Sequence, residues 1–417
     1  MQPKRPAALP FIFITILIDV IGLGIIIPVM PKLIEQLTGE GVSAASRYAG
    51  YLTFAYAAAQ FVFAPVVGGL SDRFGRRPVL LASLLGLGCD YVFLALAPTL
   101  GWLFVGRVLA GITGASFTTA TAYIADVSPP EKRAQNFGLV GAAFGVGFIV
   151  GPVLGGQAAH WGPRAPFLVA AACSLLNFLY GLLIVPESLP TERRRAFEWK
   201  RANALASLSR LRLYPQIVGL VAALVLLFLA GSATQSVWTF YTILKFNWGE
   251  DLIGWSLGVV GVGALVVQGG LVRVAIPKLG AARAIVLGIV CYIIGQLLFG
   301  LATQGWMMFA VTGIYALGGL VGPALQGAIS AEVPPNEQGE LQGTLTSLVS
   351  ATGVVGPLLM TSLFAFFTGK AAPVYLPGAP FLAGSALALL ALLIVAGPLR
   401  RLPASARPPT AEATGGH

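Results

Sequence analysis

The chain has 417 residues, of which 56% are hydrophobic and 10% charged, and its formal net charge is +10. A water-soluble chain of this size carries roughly 25% charged residues, so the composition excludes a soluble protein and requires a lipid environment. Cys89, Cys173 and Cys291 all fall within apolar runs, which excludes a disulfide framework and a zinc site.

The first apolar run, 11–29, follows Lys4 and Arg5 and has the flanks of a secretory signal. No small-x-small cleavage site follows it and many more apolar runs do, so it reads as the first membrane span. Windows of about 20 apolar residues cross a bilayer. They are predicted near 10–30, 50–70, 79–97, 101–124, 137–158, 165–186, 216–240, 252–274, 283–302, 306–328, 342–367 and 379–398. The expectation is an all-α membrane protein with twelve transmembrane helices in two pseudo-symmetric six-helix bundles. Residues 1–186 form the first bundle, 187–214 a cytoplasmic linker, 215–400 the second bundle and 401–417 a cytoplasmic tail.

Lysine and arginine orient the spans. With both termini cytoplasmic, nineteen of these residues fall on the cytoplasmic side. Only Lys32, Arg47, Arg164, Lys245 and Lys370 fall on the other. The positive charge therefore marks one face of a membrane, and no nucleic-acid partner is expected. The linker is rich in arginine and reads either as a helix lying on the membrane surface or as a plain charged connection.

Three charges lie inside predicted spans: Asp19, Asp90 and Arg107. Each costs a few kcal/mol in lipid by insertion scales, so each needs a cavity or a partner. One reading has Arg107 neutralising a buried carboxylate to hold the bundle together. The other has an acid that loads a proton on one side of the membrane and releases it on the other.

Between spans two and three runs Gly69-Leu70-Ser71-Asp72-Arg73-Phe74-Gly75-Arg76-Arg77-Pro78. Its glycines permit a sharp turn between helices, and its arginines hold the loop at the cytoplasmic face. Asp126, at the end of span four, is within reach of Arg76. Asp72 is placed to cap the start of span eleven near 339–343, where a helix N-terminus favours an acid. Asp72, Arg73, Arg76 and Asp126 are thus candidates for a cytoplasmic gate. The loop resembles the cytoplasmic signature of the major facilitator superfamily, G-x-L-x-D-R-x-G-R-[RK].

Span five carries Gly147, Gly151, Pro152, Gly155 and Gly156. Small residues at this spacing let helices pack closely. The run resembles the antiporter motif G-x-x-x-G-P-x-x-G-G of proton-driven drug exporters. The two halves also repeat one another. Asp126-Val127-Ser128-Pro129-Pro130, Gly138 and Gly151-Pro152 recur as Glu332-Val333-Pro334-Pro335, Gly343 and Gly356-Pro357. Transporters built from such repeats bind substrate between the halves near the midplane.

The chain is similar to the bacterial tetracycline/proton antiporters over essentially its whole length apart from the termini and the linker. The resemblance rests on Asp19 with Gly22, Gly24 and Pro28, on 71–81, on Asp90-Tyr91, and on Gly106-Arg107 leading into 110–115. Pro323-Ala324-Leu325-Gln326-Gly327, 338–343 and 351–359 extend it. It implies export of a divalent-metal chelate of tetracycline in exchange for a proton. It also implies that Asp19, Asp90 and Arg107 are the membrane-embedded functional charges, Asp72 and Arg76 the loop residues, and Gln268 a span-eight glutamine. Well-known members carry an acid where this chain has Tyr292, and some carry a histidine where it has Ala264. No span of the second half holds an acid, so either Asp19 and Asp90 handle the proton alone or the substrate differs.

Substrate is expected to meet Asp19 on the first-half side. On the other it would meet Gln235, Trp238, Tyr241, Gln268, Tyr315 and Gln326, unless Trp238 and Tyr241 are only interfacial anchors. Neither His160 nor His417 has a ligand partner, and no Gly-Lys-[Ser/Thr] phosphate loop is present. The reading is thus neither an enzyme nor an ATP-driven pump and needs no cofactor or metal site, the substrate itself arriving with magnesium. A proton-coupled exporter of tetracycline-like drugs is favoured, working as a monomer in the bacterial inner membrane with drug, proton and lipid as partners. An exporter of other amphipathic drugs or metabolites, a metabolite importer and a non-transporting receptor are the alternatives.

Overall fold

The computed structural model describes residues 8–114, 116–128, 133–194, 217–333 and 338–399, and every regular element among them is helical. Lipid offers no partner for backbone polar groups, so long apolar runs satisfy them internally as helices. Among the described residues ten helices are long and apolar enough to cross a bilayer, and a bent pair makes an eleventh. That pair is α1 (Ala8–Ile25) and α2 (Met30–Thr38), with 44° between them at the break containing Pro28. Span one therefore continues to Thr38, where Gly39 caps it in the left-handed conformation.

The 33-residue α3 (Val42–Phe74) begins earlier than its apolar window. It stops at Gly75, whose φ of +106° suits glycine alone, and α4 (Arg76–Leu96) follows. Span four is divided into α5 (Leu100–Thr113) and α6 (Ser116–Val127). Then come α7 (Arg133–Ala158) and α8 (Ala165–Ile184). The second half begins with α9 (Val218–Phe246). Next is α10 (Glu250–Val266), a π-turn at Val267–Leu271 and α11 (Val272–Leu279), which together form one span. It ends with α12 (Ala281–Leu301), α13 (Gly305–Leu317) leading into α14 (Val321–Ala331), α15 (Gln338–Thr368) and α16 (Ala379–Leu399).

Helix packing repeats between the halves. In the first, α1 lies against α7 and α8, α4 against α8, and α3 against α5. In the second, α9 lies against α15 and α16, α12 against α16, and α10 against α13. The halves meet along two equivalent seams, α3 with α15 and α7 with α10.

Among the described residues an apolar core bridges the seams at one end only. There Ile25, Val29, Leu33, Ala45, Val237, Trp238, Met360 and Phe364 belong to a single apolar core shared by both halves. At the opposite end each half keeps a core of its own, Ile12, Leu80, Tyr123 and Val185 in one and Leu220, Ile285, Ile329 and Val395 in the other. The described residues are thus packed together across the halves beside the 39–41 and 247–249 turns and parted into separate cores beside Gly75 and Gly280.

Candidate transport site and gates

Within the first half the three intramembrane charges gather. The Arg107 Nη2 to Asp90 Oδ2 distance is 3.2 Å, and both residues are buried. Asp90 Oδ1 and Arg107 Nε have no hydrogen-bond partner among the described residues, so the pair is incompletely satisfied. The guanidinium also stands 5.9 Å from the centre of the Tyr56 ring, close enough for a cation–π contact. Gln60 donates to the Tyr56 hydroxyl and to the Gly114 carbonyl at 3.2 Å each, which ties α3 to the break in span four. Asp19 is half-buried on α1, and its field reaches the phenols of Tyr56 and Tyr91, as do those of Asp90 and Arg107.

The second-half residues expected to line a cavity divide into two sets. Gln235, Gln268 and Gln326 are exposed and Tyr315 is half-buried, so all four are reachable from outside the packed core. Gln268 lies in the π-turn, beside Gly319 at the break of span ten. Trp238 and Tyr241 are corrections. Both are completely enclosed, Trp238 donating to Ser256 Oγ at 2.9 Å and Tyr241 to the Phe299 carbonyl at 2.7 Å. Their rings pack edge-on against Phe299 and Phe381. In this conformation they are neither cavity wall nor interfacial anchors, because α9 turns them into the shared core.

Tyr315 contacts Tyr292, with hydroxyls 3.4 Å apart and ring centres 5.0 Å apart. Gln296 adjoins them, fully buried, and donates to the Ala230 carbonyl at 3.1 Å and to Thr234 Oγ1 at 3.3 Å. Sequence reading missed Gln296, although a single amide in an apolar run was a visible signal. The second half thus has a neutral amide–phenol–hydroxyl cluster where the first half has charges.

At the parted end Arg76 joins three elements. Its guanidinium reaches Asp72 at 2.6 Å and Asp126 at 3.0 Å, and it donates to Ser71 Oγ at 2.6 Å. The expected Arg76–Asp126 contact forms. Asp72, near the end of α3, is engaged by Arg76 at the start of α4, and residues 334–337, which precede α15, lie outside the described residues. Arg73 is exposed and lies over the Phe74 ring.

Glu187 was also missed. Its carboxylate accepts from the backbone amides of Arg76 at 2.9 Å and Arg77 at 3.3 Å, capping α4 from the start of the linker. A Cβ on Gly75 would collide with that carboxylate, a second reason for glycine there. Such a cap spans 111 residues of sequence, beyond the reach of local pattern reading. Beyond Arg194 the expected linker helix lies outside the described residues.

The span-five glycines serve two partners. Added Cβ atoms at Gly147 and Gly151 would come within 2.6 Å and 2.8 Å of atoms on α1, and one at Gly155 would strike the Ile25 carbonyl. Gly156 faces the start of α10 instead, 2.6 Å from the Glu250 carbonyl, and Pro152 abuts Gly254. One motif therefore packs α7 within its own half and across the seam. At the same closed end Lys32 pairs with Glu250 at 2.8 Å, joining the halves, and Ser43 donates to the Thr368 carbonyl at 3.1 Å. This cross-seam pair was not foreseen, since nothing local links α2 to α10.

Comparison with known proteins agrees with this arrangement. The family profile described as Major Facilitator Superfamily matches residues 12–298. The class C tetracycline resistance protein of Escherichia coli is 41% identical over 366 residues, covering 87% of this chain and 91% of its own. The class H protein of Pasteurella multocida is 36% identical, with 85% and 88% covered. Among solved structures, a bacterial homologue of the human lysosomal transporter Spinster superposes with a TM-score of 0.77 at 18% identity, covering 96% of this chain and 98% of that one.

Proposed function

The chain belongs to the Major Facilitator Superfamily, and we propose that it is a proton-coupled efflux antiporter that exports tetracycline-like drugs, as their divalent-metal chelates, from the cytoplasm. It is a multi-pass membrane transporter related to tetracycline resistance proteins, in a family of transporters and not of enzymes. The observation that carries the finer reading is the buried, incompletely satisfied Asp90–Arg107 pair with Asp19 close by. A lone structural neutralisation would need one acid per arginine. A second acid, Asp19, acts on the same Tyr56 and Tyr91 phenols as the pair, and two acids around one arginine make a site whose protonation would change the pairing.

The excess of lysine and arginine at the parted end supports an orientation with that end, and both termini, in the cytoplasm of a bacterial inner membrane. The conformation is then open inward, with the Lys32–Glu250 end closed outward. Two domains, 1–186 and 215–400, would rock about the α3–α15 and α7–α10 seams. Asp72, Arg73, Arg76 and Asp126 would form the cytoplasmic gate. Drug would enter between Asp19 and the accessible Gln235, Gln268, Tyr315 and Gln326. Nothing in this scheme requires a second copy of the chain.

Inverted vesicles with an imposed pH gradient test the reading. Tetracycline with magnesium should accumulate, and dissipating the gradient should stop it. Accumulation that ignores the gradient would refute proton coupling. A second reading, export of other amphipathic drugs, is favoured by the neutral Tyr292–Tyr315 pair. It predicts that such drugs compete with tetracycline or replace it.

A further inference from the structure

Thr15, Asp19 and Gly22 are spaced i, i+4 and i+7 along α1 and so share one helix face. That face meets α8. Asn177 donates from Nδ2 to the Thr15 carbonyl at 2.9 Å, and a point just above Gly22 lies 3.6 Å from Ser174 Oγ and 3.5 Å from the Tyr91 hydroxyl. Thr15, Ser174 and Asn177 are each at most 1% exposed. Thr15 Oγ1, Ser174 Oγ and Asn177 Oδ1 nevertheless have no hydrogen-bond partner among the described residues. Two hydroxyls and an amide carbonyl left this way in one apolar seam are unusual, because buried polar atoms are nearly always satisfied by protein or by bound water. Neutral donors and acceptors that converge without a fixed charge of their own suit water, which takes two to four such partners.

We propose that the α1–α8 seam is a hydrated proton relay. Thr15, Ser174 and Asn177 would hold water against Asp19 and connect it past Tyr91 to Asp90. The inference rests on the antiport reading and deepens it. A proton leaving the Asp19 carboxyl passes to a bound water, which gives up one of its own to the next oxygen. The chain ends when an O–H bond forms on the Asp90 carboxylate. One O–H bond is lost at Asp19 and one gained at Asp90, so Asp19 becomes the anion as Asp90 becomes neutral and its hold on Arg107 weakens. The hydroxyls of Thr15 and Ser174 pass protons, and Asn177 only orients water. Tyr56 and Tyr91 feel the Asp19 carboxylate, and both also feel Asp90 and Arg107. Within the membrane α7 and α8 bring Asp19 no carboxylate or amine, so the relay has no competing acceptor there.

The full chain in proteoliposomes tests this with the double variant Thr15→Val/Ser174→Ala, which keeps side-chain volume. Two rates are compared: tetracycline–magnesium accumulation driven by a pH gradient, and tetracycline counterflow at equal pH. Accumulation should fall at least about tenfold, with counterflow within about twofold of wild type. Thr15→Ser should keep both. Unchanged accumulation in the double variant overturns the relay, as does a parallel loss of accumulation and counterflow, which marks a merely structural role. If the wild-type protein shows no gradient-driven accumulation, the antiport reading itself fails and takes the relay with it.

Discussion

The two halves share one helix arrangement but not one chemistry. The first encloses Asp90 and Arg107 in a buried ion pair with Asp19 nearby, whereas the matching interior of the second holds Tyr292, Tyr315, Gln296 and Thr234. Charges buried in lipid need strong reasons to persist. Neutral amides and phenols persist cheaply and recognise planar, polar surfaces. Under the proposed function, such a repeat fold would permit a division of labour, the first half moving protons and the second supplying most of the substrate contacts.

The sharpest break in that comparison is Asp19→Asn, which removes an acid but little volume. Gradient-driven drug accumulation in vesicles should drop by at least about 100-fold, as expected when a positioned proton carrier is lost, while the protein remains folded in detergent. Next is Trp238→Ala. Because Trp238 is core and not cavity wall, the loss should appear as about 3–5 kcal/mol of stability. Thermal unfolding of the purified protein measures it, and wild-type stability with weakened drug binding would restore Trp238 to the site. Third, Arg76→Ala removes the shared partner of Asp72 and Asp126. Turnover should slow about tenfold, equivalent to about 1.4 kcal/mol on the reorientation barrier, with drug affinity unchanged in equilibrium binding. Fourth, Gln268→Ala and Tyr315→Phe should each raise KM several-fold, since a hydrogen bond is worth about 1 kcal/mol. Smallest is Lys32→Ala. Its ion pair is half in solvent, so about 1 kcal/mol at most is at stake, read as a few-fold rise in outward labelling of a cysteine placed at Ser43.

Much of the fold was legible because lipid enforces it. Apolar run length fixes a span, and every predicted span has a helical counterpart. Ends moved where polar turns extend helices beyond the bilayer window, as in α2 past Pro28 and α3 back to Val42. The break in span four was not anticipated, and neither was the π-turn at Gln268. The intramembrane charges announced themselves, because nothing else explains an acid in an apolar run. Trp238 and Tyr241 misled because an aromatic on a helix that is apolar all round carries no signal of which face it occupies. Glu187 and Lys32 were missed for the opposite reason. They look like solvated loop charges, and only the tertiary fold brings them to the Arg76 amide and to Glu250.

The proton-to-drug ratio, measured in proteoliposomes for Asp19→Asn and for Tyr315→Phe/Gln268→Ala, tests the division of labour most directly. The first-half variant should transport drug by counterflow with no accompanying proton. The second-half double variant should keep the wild-type ratio at every rate, merely needing more drug to reach it. A ratio that shifts in the second-half variant, or survives in Asp19→Asn, would contradict the assignment of protons to one half and substrate to the other.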